Sequence, residues 1–147
     1  MILFWKLGCD TKYTLTETQF VNGLAELGME TSSKIKSKMS SIKNEISNAK
    51  DFKKFYMWCF TYMKDPTQKR IHIDFALPTW KLIMKGRYEY LEDWIKFWEN
   101  GKDKTIPKDV WGQFLEFTKD TTFKNWKDFD PGAYPISIEE FVDSMKN

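Results

Sequence analysis

Apolar residues recur along most of the chain at the three- and four-residue spacing that places them on one face of a helix, and Gly, Pro or Asn punctuates the gaps. The run Met1-Ile2-Leu3-Phe4-Trp5 with Leu7 predicts a short opening helix, and Gly8 stands where a left-handed cap belongs. Thr16 with Gln19 has the capping-box form ahead of a helix that sets Phe20, Leu24 and Leu27 on one face and closes at Gly28. Ile35, Met39, Ile42 and Ile46 predict a third helix, whose other positions are crowded by Lys34, Lys36, Lys38 and Lys43, with Lys50 just beyond. A fourth, with Asp51 as its expected cap, carries the stripe Phe52, Phe55, Tyr56, Cys59, Phe60 and Met63, wide enough to be central to a core.

Two short pieces alternate instead. Tyr13-Thr14-Leu15 and Ile71-His72-Ile73 read as extended, and they are expected to pair with each other as the loops of paired EF-hands do. Asp74 is the expected cap of the next helix, with Pro78 near its first turn and Trp80, Ile83 and Met84 within it. Tyr90, Leu91, Trp94, Phe97 and Trp98 then form a strong amphipathic pattern that stops at Gly101. Pro107 is expected at the first position of a helix that places Asp109 in its first turn and buries Trp111, Phe114, Leu115 and Phe117. Ser137 with Glu140 predicts a capping box ahead of Phe141, Val142 and Met145.

The pattern as a whole predicts an all-α fold, a compact helical domain with EF-hand-like helix-loop-helix packing and at most two very short strands. Calcium is not expected in it. Aligning Leu15 with the central apolar position of a calcium loop puts Gly8 and Gln19 at the first and twelfth positions, where an Asp and a bidentate Glu are required. Lys12 then falls at the fifth position and Tyr13 on the turn glycine, so neither a metal nor any other cofactor is predicted.

Composition narrows the reading further. A chain of 147 residues with 17% aromatic content fills a single core, so one domain over residues 1–147 is expected, with an opening that looks cut from the middle of a helix and lacks upstream N-terminal helices. Lys and Arg number 23 against 21 Asp and Glu, a balance that does not call for a nucleic-acid partner. The lysine face of the third helix lacks Arg and aromatic interleaving and reads as a solvated face; a basic nucleic-acid-binding or adapter module is the alternative. Cys9 and Cys59 have neither zinc-ligand nor disulfide-framework spacing, and a thiol inside an aromatic stripe reads as inert filler. No apolar run reaches the roughly 20 residues that span a bilayer, so no membrane partner is expected and the location is read as intracellular, nucleus or cytoplasm. Without a Gly-rich phosphate loop, a Ser/His/Asp set or a catalytic partner for His72, an enzyme with its own active site is disfavoured.

Four segments carry a resemblance. IPKDVWGQFLEF, the FDPGAYPISIEEFV tail, FKKFYMWCFTYMKDP and KLIMKGRYEYLEDWIKFW resemble, in order and spacing, the potentiating-neddylation domain of the defective-in-cullin-neddylation proteins. The resemblance implies a calcium-free, EF-hand-like helical domain that acts as an accessory ligase without a catalytic cysteine. It implies two partners, the C-terminal region of a cullin and the neddylation conjugating enzyme with its N-acetylated Met, both bound by a monomer. Carried over residue by residue, the cullin-binding patch falls on Asp109, Ala133 and Glu139, where Glu139 stands in place of the family's Asp and Tyr134 in place of its usual Trp. The pocket for the acetylated Met falls on Leu3, Leu15, Tyr62 and Leu82, with backbone near Lys12 and Tyr13; Lys12 and Thr79 replace the usual Gln and Tyr.

Overall fold

Capping chemistry sets most of the helix boundaries in the computed structural model, which describes residues 1–12 and 14–146. Helix α1 (Ile2–Lys6) ends at Gly8 with φ of +67°, and the N–H groups of Gly8 and Cys9 donate to Trp5 O and Phe4 O, each at 3.1 Å. Two orphan carbonyls are thereby satisfied, as the glycine predicted. Helix α2 (Glu17–Glu26) opens on the expected box, with Thr16 Oγ1 accepting from Gln19 N and Gln19 Oε1 accepting from Thr16 N, both at 3.1 Å. Thr31 caps α3 (Ser32–Glu45). Helix α4 (Ala49–Met63) begins two residues before Asp51, because Asn48 Oδ1 accepts from Asp51 N at 2.9 Å and so takes the cap assigned to Asp51.

Packing divides the chain into two compact units, Met1–Tyr62 and Met63–Asn147. In the first, the aromatic stripe of α4 is buried as its spacing predicts: Phe52, Phe55, Tyr56, Cys59 and Phe60 are all less than 5% exposed. Trp5 of α1 packs on Phe55 with ring centroids 5.5 Å apart. Helix α2 is the exception, since Leu24 is buried but Phe20, expected on the same face, is 46% exposed. Both thiols lie in the core, and burial pushes Cys59 up to about 12 and Cys9 up as well. We expect neither to react with a thiol reagent at pH 8 in the folded protein and both to react after denaturation; rapid native labelling at Cys59 would show that the α4 stripe opens readily, and at Cys9 that the segment after α1 does.

The second unit is stitched by the one two-residue ladder among the described residues. Strand β1 (Ile71–His72) pairs antiparallel with β2 (Thr105–Ile106), Ile71 facing Ile106 and His72 facing Thr105. This corrects the expected partner, residues 13–15, of which Tyr13 lies outside the described residues and Thr14 and Leu15 belong to no strand. Ile106 precedes Pro107, whose ring biases it toward the extended backbone that the ladder uses. Ile71 and Ile106 are fully buried, and Ile73 N extends the ladder by donating to Lys104 O at 2.9 Å.

Helix α5 (Ile73–Ile83) starts two residues earlier than predicted, with His72 Nδ1 accepting from Asp74 N at 3.2 Å as the cap in place of Asp74. Pro78 therefore sits inside the helix rather than near its start, and its missing N–H leaves the Asp74 carbonyl without the usual intrahelical donor. Helices α6 (Leu91–Asn100), α7 (Lys108–Phe117) and α8 (Ile136–Met145) follow, with a 3-10 turn at Trp126–Asp128 before α8. Aromatic rings join them. Trp80 stacks on Trp111 at 4.7 Å, Trp94 stacks on Phe114 at 4.3 Å, and Phe141 of α8 meets the edge of Trp94 at 5.1 Å.

Candidate functional site

Asp109 is placed by the ladder. Ile106 is locked opposite Ile71, Pro107 follows as the N-cap of α7 at φ −69° and ψ 156°, and Val110 and Trp111 are buried beneath the first turn. Pro107 lies one position earlier than predicted and offers no side chain to cap the helix. The first N–H groups of α7 thus keep their partial positive charge, and Asp109 beside them favours the helix dipole. Its carboxylate is exposed and holds no side-chain hydrogen bond or ion pair among the described residues.

Ala133 lies in a tight turn closed by Tyr134 N donating to Pro131 O at 2.8 Å. Gly132 enters that turn at φ +46°, and its N–H donates to Asp130 Oδ1 at 3.1 Å. A Cβ at Gly132 would meet only Asp130 O at 3.9 Å, so the glycine is there for its backbone and not for space. Gly132→Ala is expected to cost about 1–2 kcal/mol, the left-handed penalty of an L-residue. Equal urea midpoints for variant and parent would contradict that.

Glu139 is set by Pro135. That proline takes the N-cap position of α8, so Ser137 falls within the first turn and the capping box expected from Ser137 and Glu140 does not form. Ser137 Oγ is instead buried without a hydrogen-bond partner, while Glu139 is exposed, also without a side-chain partner. Ile136, one helical turn before Glu139, is 72% exposed and adds an apolar side chain that the sequence reading passed over.

The ring contacts show how the three residues are distributed. Phe117, at the C-terminal end of α7, meets Tyr134 edge-on at 5.7 Å and Phe141 at 6.3 Å, so the turn and the start of α8 pack against that end. Ala133 lies in this turn and Glu139 in the first turn of the helix that follows it. Asp109 is positioned from the other end of α7, about 12 Å of helix rise from Phe117.

Sequence reasoning also missed the tie that holds the turn. Tyr134 Oη donates to Asp120 Oδ2 at 3.0 Å across 14 residues of chain, a pairing with no local signal in the sequence. Burial first, and then this bond, push Tyr134 up to about 12. The Thr122 hydroxyl and amide, with the Tyr134 hydroxyl adding to them, hold Asp120 below the usual carboxylate range.

The residues assigned to an acetyl-Met pocket fall in both units. In the first, Leu3, Lys12 and Leu15 are half-buried, while Tyr62 is 2% exposed and stacks on Trp58 at 4.4 Å. Tyr13 is outside the described residues. In the second, Leu82 is 65% exposed, and Thr79 is buried with its hydroxyl donating to Phe75 O at 2.6 Å. The lysines of α3 are exposed, but Lys34 pairs with Glu30 at 3.1 Å and Lys38 donates to Leu27 O at 2.9 Å, local contacts of a solvated face. Among the described residues no three His, Cys, Asp or Glu side chains converge as metal ligands do.

Comparison with known proteins bears on the same segments. A family model described as cullin binding matches residues 34–144, which include α4 to α7, the PGAYP turn and most of α8. The chain is 24% identical over 147 residues to human DCN1-like protein 5, covering 99% of this chain and 62% of that protein. It is 27% identical over 150 residues to DCN1-like protein 3 of Drosophila melanogaster, covering 44% of that protein. To Defective in cullin neddylation protein 1 of Yarrowia lipolytica it is 27% identical over 144 residues, covering 95% of this chain and 59% of that protein. The chain thus spans less than two thirds of the length of these relatives.

Proposed function

The chain belongs to the cullin-binding family, and from that premise we propose that it is a scaffold-type ligase cofactor for cullin neddylation. In this reading it binds the C-terminal region of a cullin together with the charged conjugating enzyme, and the modifier passes to a cullin lysine. Holding two competent reactants together raises their effective concentration and restricts their approach. No nucleophile is needed from this chain, and both of its thiols are sealed in the core.

The observation that carries the reading is the family match over residues 34–144, within which Asp109 and Glu139 present unpartnered carboxylates at two helix starts. Such carboxylates accept Lys or Arg from a basic cullin surface through charge-assisted hydrogen bonds. The relatives' names, DCN1-like and defective in cullin neddylation, supply the process. The conjugating enzyme is proposed to dock through its acetylated N-terminal Met, since an unacetylated terminus would bring an ammonium into apolar surroundings.

A reconstituted reaction tests this. Adding the chain to activating enzyme, conjugating enzyme, modifier and cullin is expected to speed cullin modification, and an N-acetylated conjugating-enzyme peptide is expected to bind better than its unacetylated form. Unchanged rates would remove the ligase-cofactor reading, and equal peptide binding would remove the acetyl-Met part of it.

A further inference from the structure

We propose that the hydrogen bond between Tyr134 and Asp120 is a latch that fixes the turn carrying Ala133, making Tyr134 a positioning residue for the surface formed by Ala133 and Glu139. The proposal rests on the cullin-binding reading above. Its geometry is closed at both ends. Asp120 is anchored to α7, since its N–H donates to Phe117 O at 3.0 Å. Its Oδ1 is held by Thr122 N at 2.9 Å and Thr122 Oγ1 at 2.7 Å, which leaves Oδ2 for the Tyr134 hydroxyl at 3.0 Å.

The ring between these points has little freedom. Phe117 meets it edge-on at 5.7 Å and 85°, and Phe129 lies nearly parallel to it at 5.8 Å and 27°. On the other side of the same residue, Tyr134 N closes the turn onto Pro131 O at 2.8 Å. One side chain therefore joins the turn to the end of α7. Ala133 has no polar side chain with which to hold itself, and the turn's other side-chain tether is the Gly132 N–H on Asp130 Oδ1. The raised Tyr134 and lowered Asp120 pKa values fit a neutral hydroxyl bonded to an ionised carboxylate.

Tyr134→Phe removes the hydroxyl and keeps the ring. Amide hydrogen exchange at Gly132 and Tyr134 is expected to quicken about tenfold in this variant, the loss of one charge-assisted bond, while exchange in the α8 interior stays as in the parent. Affinity for a cullin C-terminal fragment is expected to fall about fivefold with little change in the unfolding midpoint. Asp120→Ala should match Tyr134→Phe at these two amides, and the double variant should be no faster, because the two residues share one interaction. Asp120→Asn, which keeps one carbonyl oxygen but loses the charge and the second acceptor, should fall between the parent and Asp120→Ala. Unchanged exchange at Gly132 and Tyr134 in Tyr134→Phe overturns the latch, as does additive behaviour in the double variant. If the parent chain binds no cullin fragment, the cullin reading fails, and the exchange rates still decide the latch by themselves.

Discussion

Replacing Trp94 by alanine is expected to destabilise the second unit by about 3–5 kcal/mol, the range for emptying a buried aromatic site. Trp94 is fully buried and meets five rings: it stacks on Phe114 at 4.3 Å and Phe97 at 5.8 Å, and contacts Trp80 at 5.5 Å, Phe141 at 5.1 Å and Trp98 at 5.7 Å. These rings come from α5, α6, α7 and α8, so the cavity would open where four helices meet and could not collapse onto one neighbour. Trp94→Phe should cost less than half as much. It deletes fewer buried atoms, and it also removes the indole N–H, which is buried without a hydrogen-bond partner. Urea unfolding followed by circular dichroism gives both values. A loss below about 1 kcal/mol for the alanine variant would mean that the cluster is not what holds the unit together.

Much of this arrangement is legible in the sequence, and the reasons differ from element to element. Apolar spacing alone placed Trp94, Phe97 and Trp98 on one helix and Phe114 and Phe117 on another, because burying a stripe is the dominant demand on a helix of this length. Where a cap had a single candidate, as at Thr16 or Gly8, the boundary was also right. Where several polar residues competed, the nearest acceptor upstream won, and Asn48 and His72 displaced Asp51 and Asp74.

Long-range pairing was the harder matter. Nothing in the composition of residues 71–73 says which extended piece they meet, and the constraint that Pro107 puts on Ile106 became informative only beside the ladder. The bond from Tyr134 to Asp120 had no local trace at all. Within the candidate surface, the types and exposure of Asp109, Ala133 and Glu139 followed from sequence and resemblance. The distribution along α7 did not, because it depends on ring packing at Phe117 that no periodicity encodes.

The double variant Asp109→Lys with Ala133→Arg is expected to weaken binding to a cullin C-terminal fragment by at least about a hundredfold, equivalent to about 2.7 kcal/mol. Asp109→Lys removes an attraction for a basic partner and replaces it with a like charge, and Ala133→Arg sets a long cation where a small side chain permits close approach. Either change opposes the proposed contact, and together they place repulsion at both ends of α7. Stability should hardly move, since both side chains are exposed and neither original residue has a side-chain partner to lose. The one predicted cost is a lysine in the first turn of α7, which opposes the helix dipole by about 0.3–1 kcal/mol. Rising salt should weaken parent binding and strengthen the residual binding of the variant, because screening acts on the attraction in the first and on the introduced repulsion in the second. Glu139→Asp separates charge from reach: it keeps the carboxylate and shortens its arm, so an undiminished affinity would assign the contact to charge at this position. Binding lost together with the thermal midpoint in the double variant would instead place Asp109 or Ala133 in the fabric of the fold.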